Sequence, residues 1–241
     1  MLMKKMILPL ALLLAAQAQA QAQAQQLWIE QDLNGARLYL GEFSENQRES
    51  SPGGLDKLTQ TSAQLLMSKG EQEAGLSRQG NFLALGARAI PGESLVAQEL
   101  AYPGWEQRQG DKLERHVLLP AARWISDFAA RAPRLTLDLV PTGRPGQLQA
   151  FYKGQPLPEA RLQLLSSFGW VRPLRADKQG LVQLSLPWRG VYVVELQQVD
   201  REGGQRQGQT WDVARYITTL SLQNSQGLPP PGATGAGRSG S

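Results

Sequence analysis

The fold class is decided by one short stretch of sequence, Arg134-Leu135-Thr136-Leu137-Asp138-Leu139-Val140. Leucines occupy every second position of this stretch, with polar residues between them. Successive side chains of a β-strand point to opposite faces of the sheet, so this alternation is typical of a strand with one buried face. The stretch therefore predicts a strand that packs its leucine face against a core.

The same alternation recurs on both sides of this stretch. Residues 36–40 and 182–186 again carry apolar side chains at every second position. Turn-forming residues separate the runs, as at Asn34-Gly35, Pro145-Gly146 and residues 177–180. Many short strands with turns between them are typical of a sandwich or barrel. We therefore predict an all-β protein with two immunoglobulin-like or transthyretin-like antiparallel β-sandwich domains.

The second half of the chain has the clearer strand pattern. Six or seven strands in about 90 residues match one such sandwich. The predicted strands are residues 134–140, 148–152, 161–165, 181–186, 192–198 and 216–222.

One segment of the first half fits two interpretations. Its leucines follow helical spacing, so residues 55–67 could form a helix. The alternative is a helical turn at residues 55–58, followed by a strand at 64–67 that turns at Lys69-Gly70. We favour the second interpretation, because strands surround the segment and Gly70 suits a hairpin turn.

The chain divides into four predicted regions. A boundary is expected at residues 130–134, where Ala-Arg-Ala-Pro-Arg precedes the leucine-rich strand. The last residues are rich in proline, glycine, serine and alanine without periodicity, which is typical of disorder. The regions are a signal peptide (1–24), an N-terminal sandwich (25–131), a C-terminal sandwich (132–223) and a disordered tail (224–241).

The first segment has the features of an export signal. Two lysines precede an apolar run at residues 6–16, and Gln-Ala alternation then offers several Ala-x-Ala cleavage sites. The run is too short to span a bilayer, which requires about 20 apolar residues, although an uncleaved anchor is the alternative. We therefore expect a periplasmic protein that does not span the membrane.

Composition excludes several classes of site. The chain has no cysteine, which excludes disulfides, thiolate zinc sites, iron–sulfur clusters and cysteine nucleophiles. Its formal net charge of +4 falls to +2 when Lys4 and Lys5 are removed with the signal. The basic residues are scattered among acidic ones, so we expect no nucleic-acid partner.

Catalytic motifs are absent from the sequence. It has no Gly-x-Ser-x-Gly elbow, no His-Glu-x-x-His and no phosphate-binding loop. Glu42 and Glu45 are explained more simply as solvated side chains than as a pair of carboxylates for acid–base catalysis. The single histidine, His116, is expected to have a structural role, or else to join Glu30 or Glu42 in a mixed nitrogen and oxygen metal site. We predict that the protein is not an enzyme.

Three motifs of the second half resemble a known sandwich family. They are Gly154-Gln155-Pro156-Leu157-Pro158-Glu159-Ala160, Asp177-Lys178-Gln179-Gly180 and Pro187-Trp188-Arg189-Gly190-Val191-Tyr192-Val193. This half is similar to carboxypeptidase-regulatory-like domains, whose motifs set the turns and strands of a sandwich and imply a fold more than a function.

The mature chain as a whole resembles a bacterial domain-of-unknown-function family known as the nickel-uptake substrate-specific domain. Three motifs carry this resemblance: Leu27-Trp28-Ile29-Glu30, Leu40-Gly41-Glu42-Phe43, and Gly53-Gly54-Leu55-Asp56. It implies a nickel or other transition-metal ligand. The candidate ligand-binding residues are Trp28, Glu30 and Glu42, which lie in these motifs, and the candidate metal ligand is His116, the single histidine of the chain. The chain departs from the family where its histidines are expected, since Gln25, Gln26 and Tyr216 stand at those positions.

Taken together, the sequence predicts a periplasmic, non-catalytic binding or accessory protein, linked by resemblance to uptake of a transition metal or metal complex. Its partner would be an envelope transporter or outer-membrane receptor. One alternative is an interaction module that offers a sheet edge to such a partner. Another is a carbohydrate-binding sandwich that uses some of the six tryptophans.

Overall fold

Strands dominate the structure, a computed structural model that describes residues 25–231. Within this range the helical element is a 3₁₀ turn at Gly54–Lys57. The strands are, in chain order, β1 (Gln26–Asp32), β2 (Gly35–Glu42), β3 (Gln47–Arg48), β4 (Thr61–Leu66), β5 (Glu71–Glu73), β6 (Leu76–Arg78), β7 (Leu83–Leu85), β8 (Ser94–Glu99), β9 (Trp105–Gln109), β10 (Lys112–Ile125), β11 (Leu137–Pro141), β12 (Gln147–Tyr152), β13 (Gln155–Pro156), β14 (Arg161–Ser166), β15 (Val171–Arg175), β16 (Leu181–Gln183), β17 (Gly190–Asp200), β18 (Gly204–Arg206), β19 (Gln209–Trp211) and β20 (Val213–Asn224).

The strands form three layers, and the middle layer is one long sheet. The central sheet has nine strands in the order β15-β14-β17-β20-β10-β8-β4-β5, with β9 paired to β10. A first outer sheet contains β1-β2-β7-β6 and β3, and a second contains β11-β12-β13 and β16. Strands β18 and β19 form a separate hairpin.

The two outer sheets cover opposite faces of the central sheet. Along β10, Leu118, Ala122 and Trp124 belong to the core beneath the first outer sheet. Val117 and Leu119, on either side of Leu118, belong to the core beneath the second outer sheet. Since neighbouring side chains of a strand point to opposite faces, β10 contributes to both cores. The all-β, sandwich-like fold class predicted from the sequence is confirmed.

The central sheet runs through both of the predicted domains. Strand β10 precedes the expected boundary at residues 131 and 132, yet it pairs in parallel with β20 over ten residue pairs, from His116↔Val213 to Ile125↔Leu222. Strand β20 also pairs antiparallel with β17. The two halves therefore share one sheet.

Strand boundaries differ locally from those predicted. The leucine-rich strand was expected at residues 134–140, but β11 begins at Leu137. The Asp138 carboxylate accepts the backbone N–H groups of Arg134 and Leu135 at 2.7 and 3.1 Å. These donors are therefore engaged by a side chain rather than by a neighbouring strand.

The ambiguous segment follows the favoured interpretation. The 3₁₀ turn Gly54–Lys57 is followed by strand β4, and β4 turns back into β5. A short helical turn with a strand after it is therefore confirmed, although β4 begins three residues earlier than expected, at Thr61.

The predicted Asp-x-x-Gly turn is present before β16, but it does not close a hairpin, because β15 pairs with β14 and β16 pairs with β12 in another sheet. The Asp177 carboxylate accepts the N–H groups of Gln179 and Leu181 at 2.8 and 2.9 Å. Gly180 has a φ of 76°, and a Cβ there would lie 3.0 Å from the carbonyl oxygens of Ala150 and Leu157. Only glycine fits this conformation and this contact without strain.

Both predicted chain ends lie largely outside the described residues. The predicted signal peptide (1–24) falls entirely outside, as do residues 232–241 of the predicted tail. The beginning of that tail is hydrogen-bonded rather than free, because Leu228 bonds to the backbone of Pro187 and Arg189 at 2.9 Å each. In the part of the chain that the structure covers, no helix is long and apolar enough to cross a bilayer.

Candidate functional site: the loop end of the central sheet

Trp28, a candidate ligand-binding residue, is fully buried. Its ring stacks on Tyr39 with centroids 5.4 Å apart and meets the edge of Phe43 at 5.7 Å. Leu165 and Val193 of the central sheet close the same cluster. Trp28 therefore packs the first outer sheet against the central sheet. Its ring face is covered by protein and is not exposed to a ligand.

Glu30 lies beside Trp28 and orients it. Its Oε1 accepts a hydrogen bond from Trp28 Nε1 at 2.9 Å and forms an ion pair with the Arg48 guanidinium at 2.8 Å. That guanidinium also lies 4.7 Å above the Tyr39 ring. The structure therefore brings Trp28 and Glu30 together. The Glu30 carboxylate is already bound by the Trp28 indole and by Arg48.

Glu42 ends strand β2, near a second, more deeply buried acid. Glu195 is 4% exposed and accepts hydrogen bonds from the side-chain amides of Gln26 and Gln197. Burial raises the pKa of the Glu195 carboxyl; the two amide bonds lower it in part, and the negative charge of Glu42 raises it further. Sequence inspection missed Glu195, because it occupies an ordinary strand position and no local motif marks it.

His116 lies away from these residues, at the beginning of β10. It is 6% exposed and stacks on Trp105 at 5.3 Å. Neither ring nitrogen has a hydrogen-bond partner among the described residues, and the nearest carboxylate oxygen belongs to Glu114, 3.4 Å from Nε2. Glu30 and Glu42 are not among its partners.

The surroundings of His116 do not fit a nickel ion. The Glu114 carboxylate is shared with Lys112 at 3.6 Å and with Arg201 at 3.4 Å. A divalent cation there would meet one imidazole, one carboxylate and two competing cations. Residues 25–231 contain no group of three or more histidine, aspartate or glutamate side chains that could hold a metal ion.

A different part of the molecule gathers exposed apolar side chains. Six strands of the central sheet share one row of paired residues, and all six continue into loops on the same side of that row. Five intervals of about 4.8 Å make the row about 24 Å wide. We call this side of the sheet the loop end. The row is Leu66, Ser94, Ile125, Leu222, Tyr192 and Ser166.

One half of the loop end carries an aromatic patch. The ring of Trp188 meets Phe168 at 5.2 Å and Trp170 at 5.1 Å, both nearly perpendicular. All three rings are half-buried. Val171, 45% exposed, and Leu228, 65% exposed, flank them. We use the name aromatic patch for these five residues.

The side chains of Asn224 and Tyr192 hold the backbone of the Trp188 loop in place. Asn224 Nδ2 donates to the carbonyl oxygens of Leu186 and Trp188 at 3.0 and 2.7 Å. The Trp188 N–H donates to the Tyr192 hydroxyl at 3.0 Å. The loop therefore presents Trp188 in a fixed position rather than as a free side chain.

The other half of the loop end carries two aliphatic tips. Leu33 is 89% exposed at the β1–β2 turn, and Ile90 is 62% exposed in the loop before β8. The Gln31 side chain joins these loops through two 2.8 Å hydrogen bonds to the backbone of Ala89. Both tips therefore lie at the same end of the molecule.

The outer edge of the central sheet is poorly suited to pairing with another strand. Hydrogen bonds at Ala160–Ala176 and Ser166–Trp170 set the phase of the β14–β15 ladder. In that phase the backbone nitrogen of Pro173 points away from β14, and proline has no N–H to offer. A proline on an edge strand is a known protection against pairing between edges.

The loop end was only partly visible in the sequence. Trp170 and Trp188 are among the six tryptophans that the sequence offers for carbohydrate binding, and three of the six are buried: Trp28, Trp124 and Trp211. The signal that could have found the aromatic patch is that Phe168, Trp170 and Trp188 fall in the intervals between the predicted strands 161–165, 181–186 and 192–198.

Comparisons with known proteins do not assign this geometry to a family. No protein-family model matches the chain, and no curated protein matches it either. The resemblance to the nickel-uptake family stays a prediction from its short motifs.

Proposed function

We propose that this chain is an exported, non-catalytic accessory protein of the bacterial envelope, and that it acts by docking its loop end on another envelope component. One observation carries the proposal. Of the six large apolar side chains that are exposed in residues 25–231, four lie at the loop end: Leu33, Ile90, Val171 and Leu228. Exposed apolar side chains gathered in this way are typical of an interaction surface.

The roles of the ionisable side chains support a non-catalytic function. Arg123 and Asp138 bind each other in the interior, and Asp200 binds Tyr152 and Lys153. Glu99 accepts hydrogen bonds from the backbone of Gln60 and Ala101. Charges engaged in this way stabilise strands and loops rather than a developing transition state.

Docking through the loop end agrees better with the geometry than docking through a sheet edge. Pro173 protects one edge of the central sheet, and the opposite edge strand, β5, has three residues, all of them exposed. Tryptophan and phenylalanine are frequent anchors at binding surfaces, and the loop end supplies three such rings already held in place.

The experiment is co-sedimentation of the purified mature protein with isolated bacterial envelope membranes. The test variant is Leu33→Ser/Ile90→Ser/Leu228→Ser, which removes exposed apolar side chains from the loop end. The matched control is Leu113→Ser/Val199→Ser, because both residues are 48% exposed and lie away from the loop end.

We expect the wild type and the control to sediment with the membranes and the test variant to remain largely in solution. Because every substituted side chain is well exposed, all three proteins should show the same thermal unfolding. A wild type that stays in solution would contradict the proposal, and so would equal loss of binding in the two variants.

A further inference from the structure

The loop end carries an excess of unpaired cations as well as apolar side chains. Five exposed basic residues there make no ion pair with any described residue: Lys69, Arg88, Arg144, Arg172 and Arg189. Arg144 belongs to this end because its neighbour Gly143 donates to the carbonyl oxygen of Phe128 at 2.9 Å. Arg88 Nη1 lies 3.4 Å from the carbonyl oxygen of Leu33.

Two of the acids in the same loops are neutralised by ion pairs. Asp32 pairs with Arg37 at 2.8 Å, and Asp127 pairs with Arg131 at 3.0 Å. Glu93 accepts the N–H of Ile90 at 3.1 Å but makes no ion pair with a described residue. Glu45, in the turn after β2, is exposed and is also unpaired with any described residue. The five unpaired basic side chains at this end therefore outnumber the unpaired acids of these loops, Glu45 and Glu93.

We infer that the component on which the loop end docks is the surface of an anionic lipid bilayer. This inference rests on the proposed function and names its target. Leu33 and Ile90 would enter the boundary between headgroups and acyl chains, and Trp170 and Trp188 would lie at the level of the headgroups, where tryptophan is enriched. The free arginines and Lys69 would bind lipid phosphates.

The arrangement favours a bilayer over a protein groove. The aliphatic tips lie beside β8 and β10, and the aromatic patch lies beside β14 and β17 on the other side of β20, with cations around both. A partner must therefore offer apolar contact at separate points under a layer of negative charge. A bilayer with anionic headgroups does this over its whole surface.

The experiment is a flotation assay with protein-free vesicles. One set contains phosphatidylglycerol and phosphatidylethanolamine, and the other contains phosphatidylcholine alone. The test variant is Arg88→Gln/Arg144→Gln/Arg189→Gln. The matched control, Arg108→Gln/Arg161→Gln/Lys178→Gln, removes the same charge from exposed residues elsewhere in the sheet and its turns.

We expect binding to the anionic vesicles, a blue shift of tryptophan fluorescence, and loss of both at high salt, where surface charges are screened. The test variant should bind at least about tenfold more weakly than the wild type, and the control should bind within about twofold of it. Phosphatidylcholine vesicles should bind little protein.

Two results would overturn the inference alone. The first is a wild type that sediments with native envelope membranes but not with anionic vesicles, which would assign the surface to an envelope protein and leave the proposed function intact. The second is equal weakening in the test and control variants. A wild type that binds neither membranes nor vesicles would overturn the proposed function together with the inference.

Discussion

Arg123 and Asp138 form a bidentate ion pair in which both side chains are fully buried. Arg123 Nε and Nη2 lie 3.0 and 2.6 Å from the two carboxylate oxygens, and Nη1 donates to Ser94 Oγ at 3.0 Å. The carboxylate also accepts three backbone N–H groups, from Arg134, Leu135 and Leu139. The pair therefore joins β8 and β10 to β11, across the predicted domain boundary.

Removal of one partner of this pair should be strongly destabilising. We expect Arg123→Met to lower the free energy of unfolding by about 3–5 kcal/mol, because Asp138 is then left as an unpaired buried charge. The double variant Arg123→Met/Asp138→Asn should regain much of this loss, since it removes both charges and keeps an acceptor for the backbone. Urea unfolding followed by circular dichroism measures all three proteins.

An exposed ion pair provides the control. Arg115 and Asp212 are about half and one-third exposed, so Arg115→Met should cost no more than about 1 kcal/mol. If Arg123→Met proved as mild as Arg115→Met, the buried pair would not be needed to join the two halves.

The strands could be predicted from the sequence, but their pairing could not. Alternation and turn residues locate elements such as β12 and β14 to within a residue, because both are local properties. The parallel pairing of β10 with β20 joins segments almost 100 residues apart. No local pattern indicates it, and it merges the two expected sandwiches into three layers.

The candidate site was harder to predict than the fold, for a related reason. Trp28 and Glu30 stand in a recognisable motif, and that motif describes a packing contact in which the carboxylate orients the indole. The loop end is assembled from segments far apart in sequence, such as the turns near Leu33 and Trp188. The set of residues that makes up the loop end can be recognised only from the strand pairing, which brings these turns to one end of the sheet.

The environment of Asp200 should make stability depend on acid pH. Burial acts to raise the pKa of this carboxyl, but hydrogen bonds from Lys153 and Tyr152 outweigh it and lower the pKa to about 2. The resulting stabilisation is present above the unfolded-state pKa of about 3.9 and is lost as the pH falls towards 2. We therefore expect the free energy of unfolding to fall over this range by about 1–2 kcal/mol more in the wild type than in Asp200→Asn.

Tyr152→Phe gives an intermediate case for this titration. It removes one of the two side-chain donors to Asp200, so its loss of stability between pH 4 and pH 2 should lie between those of the wild type and Asp200→Asn. Urea unfolding at several pH values measures the three curves. Parallel curves for all three proteins would contradict the assignment to Asp200.

Glu195 should have the opposite effect on stability. Burial raises the pKa of its carboxyl, so the folded state binds the proton more tightly than the unfolded state does. Stability is then lost as the pH rises from about 4.3 through the raised pKa. We expect Glu195→Gln to be more stable than the wild type at pH 8, by about 1 kcal/mol, and to match it near pH 4. A variant that is less stable at both pH values would show that the charged form is favoured by its amide partners.

Pro173 should keep the molecule monomeric at one edge of its central sheet. In strand β15 the odd-numbered residues direct their backbone groups outwards, and Pro173 leaves a gap between the outward N–H groups of Val171 and Arg175. Pro173→Thr restores a donor and a residue that favours strands, so we expect it to self-associate at concentrations where the wild type does not. Light scattering and gel filtration measure this. The control Pro91→Thr alters an exposed proline in a loop and should remain as monomeric as the wild type. Equal association of the two variants would indicate a general loss of solubility rather than pairing of edge strands.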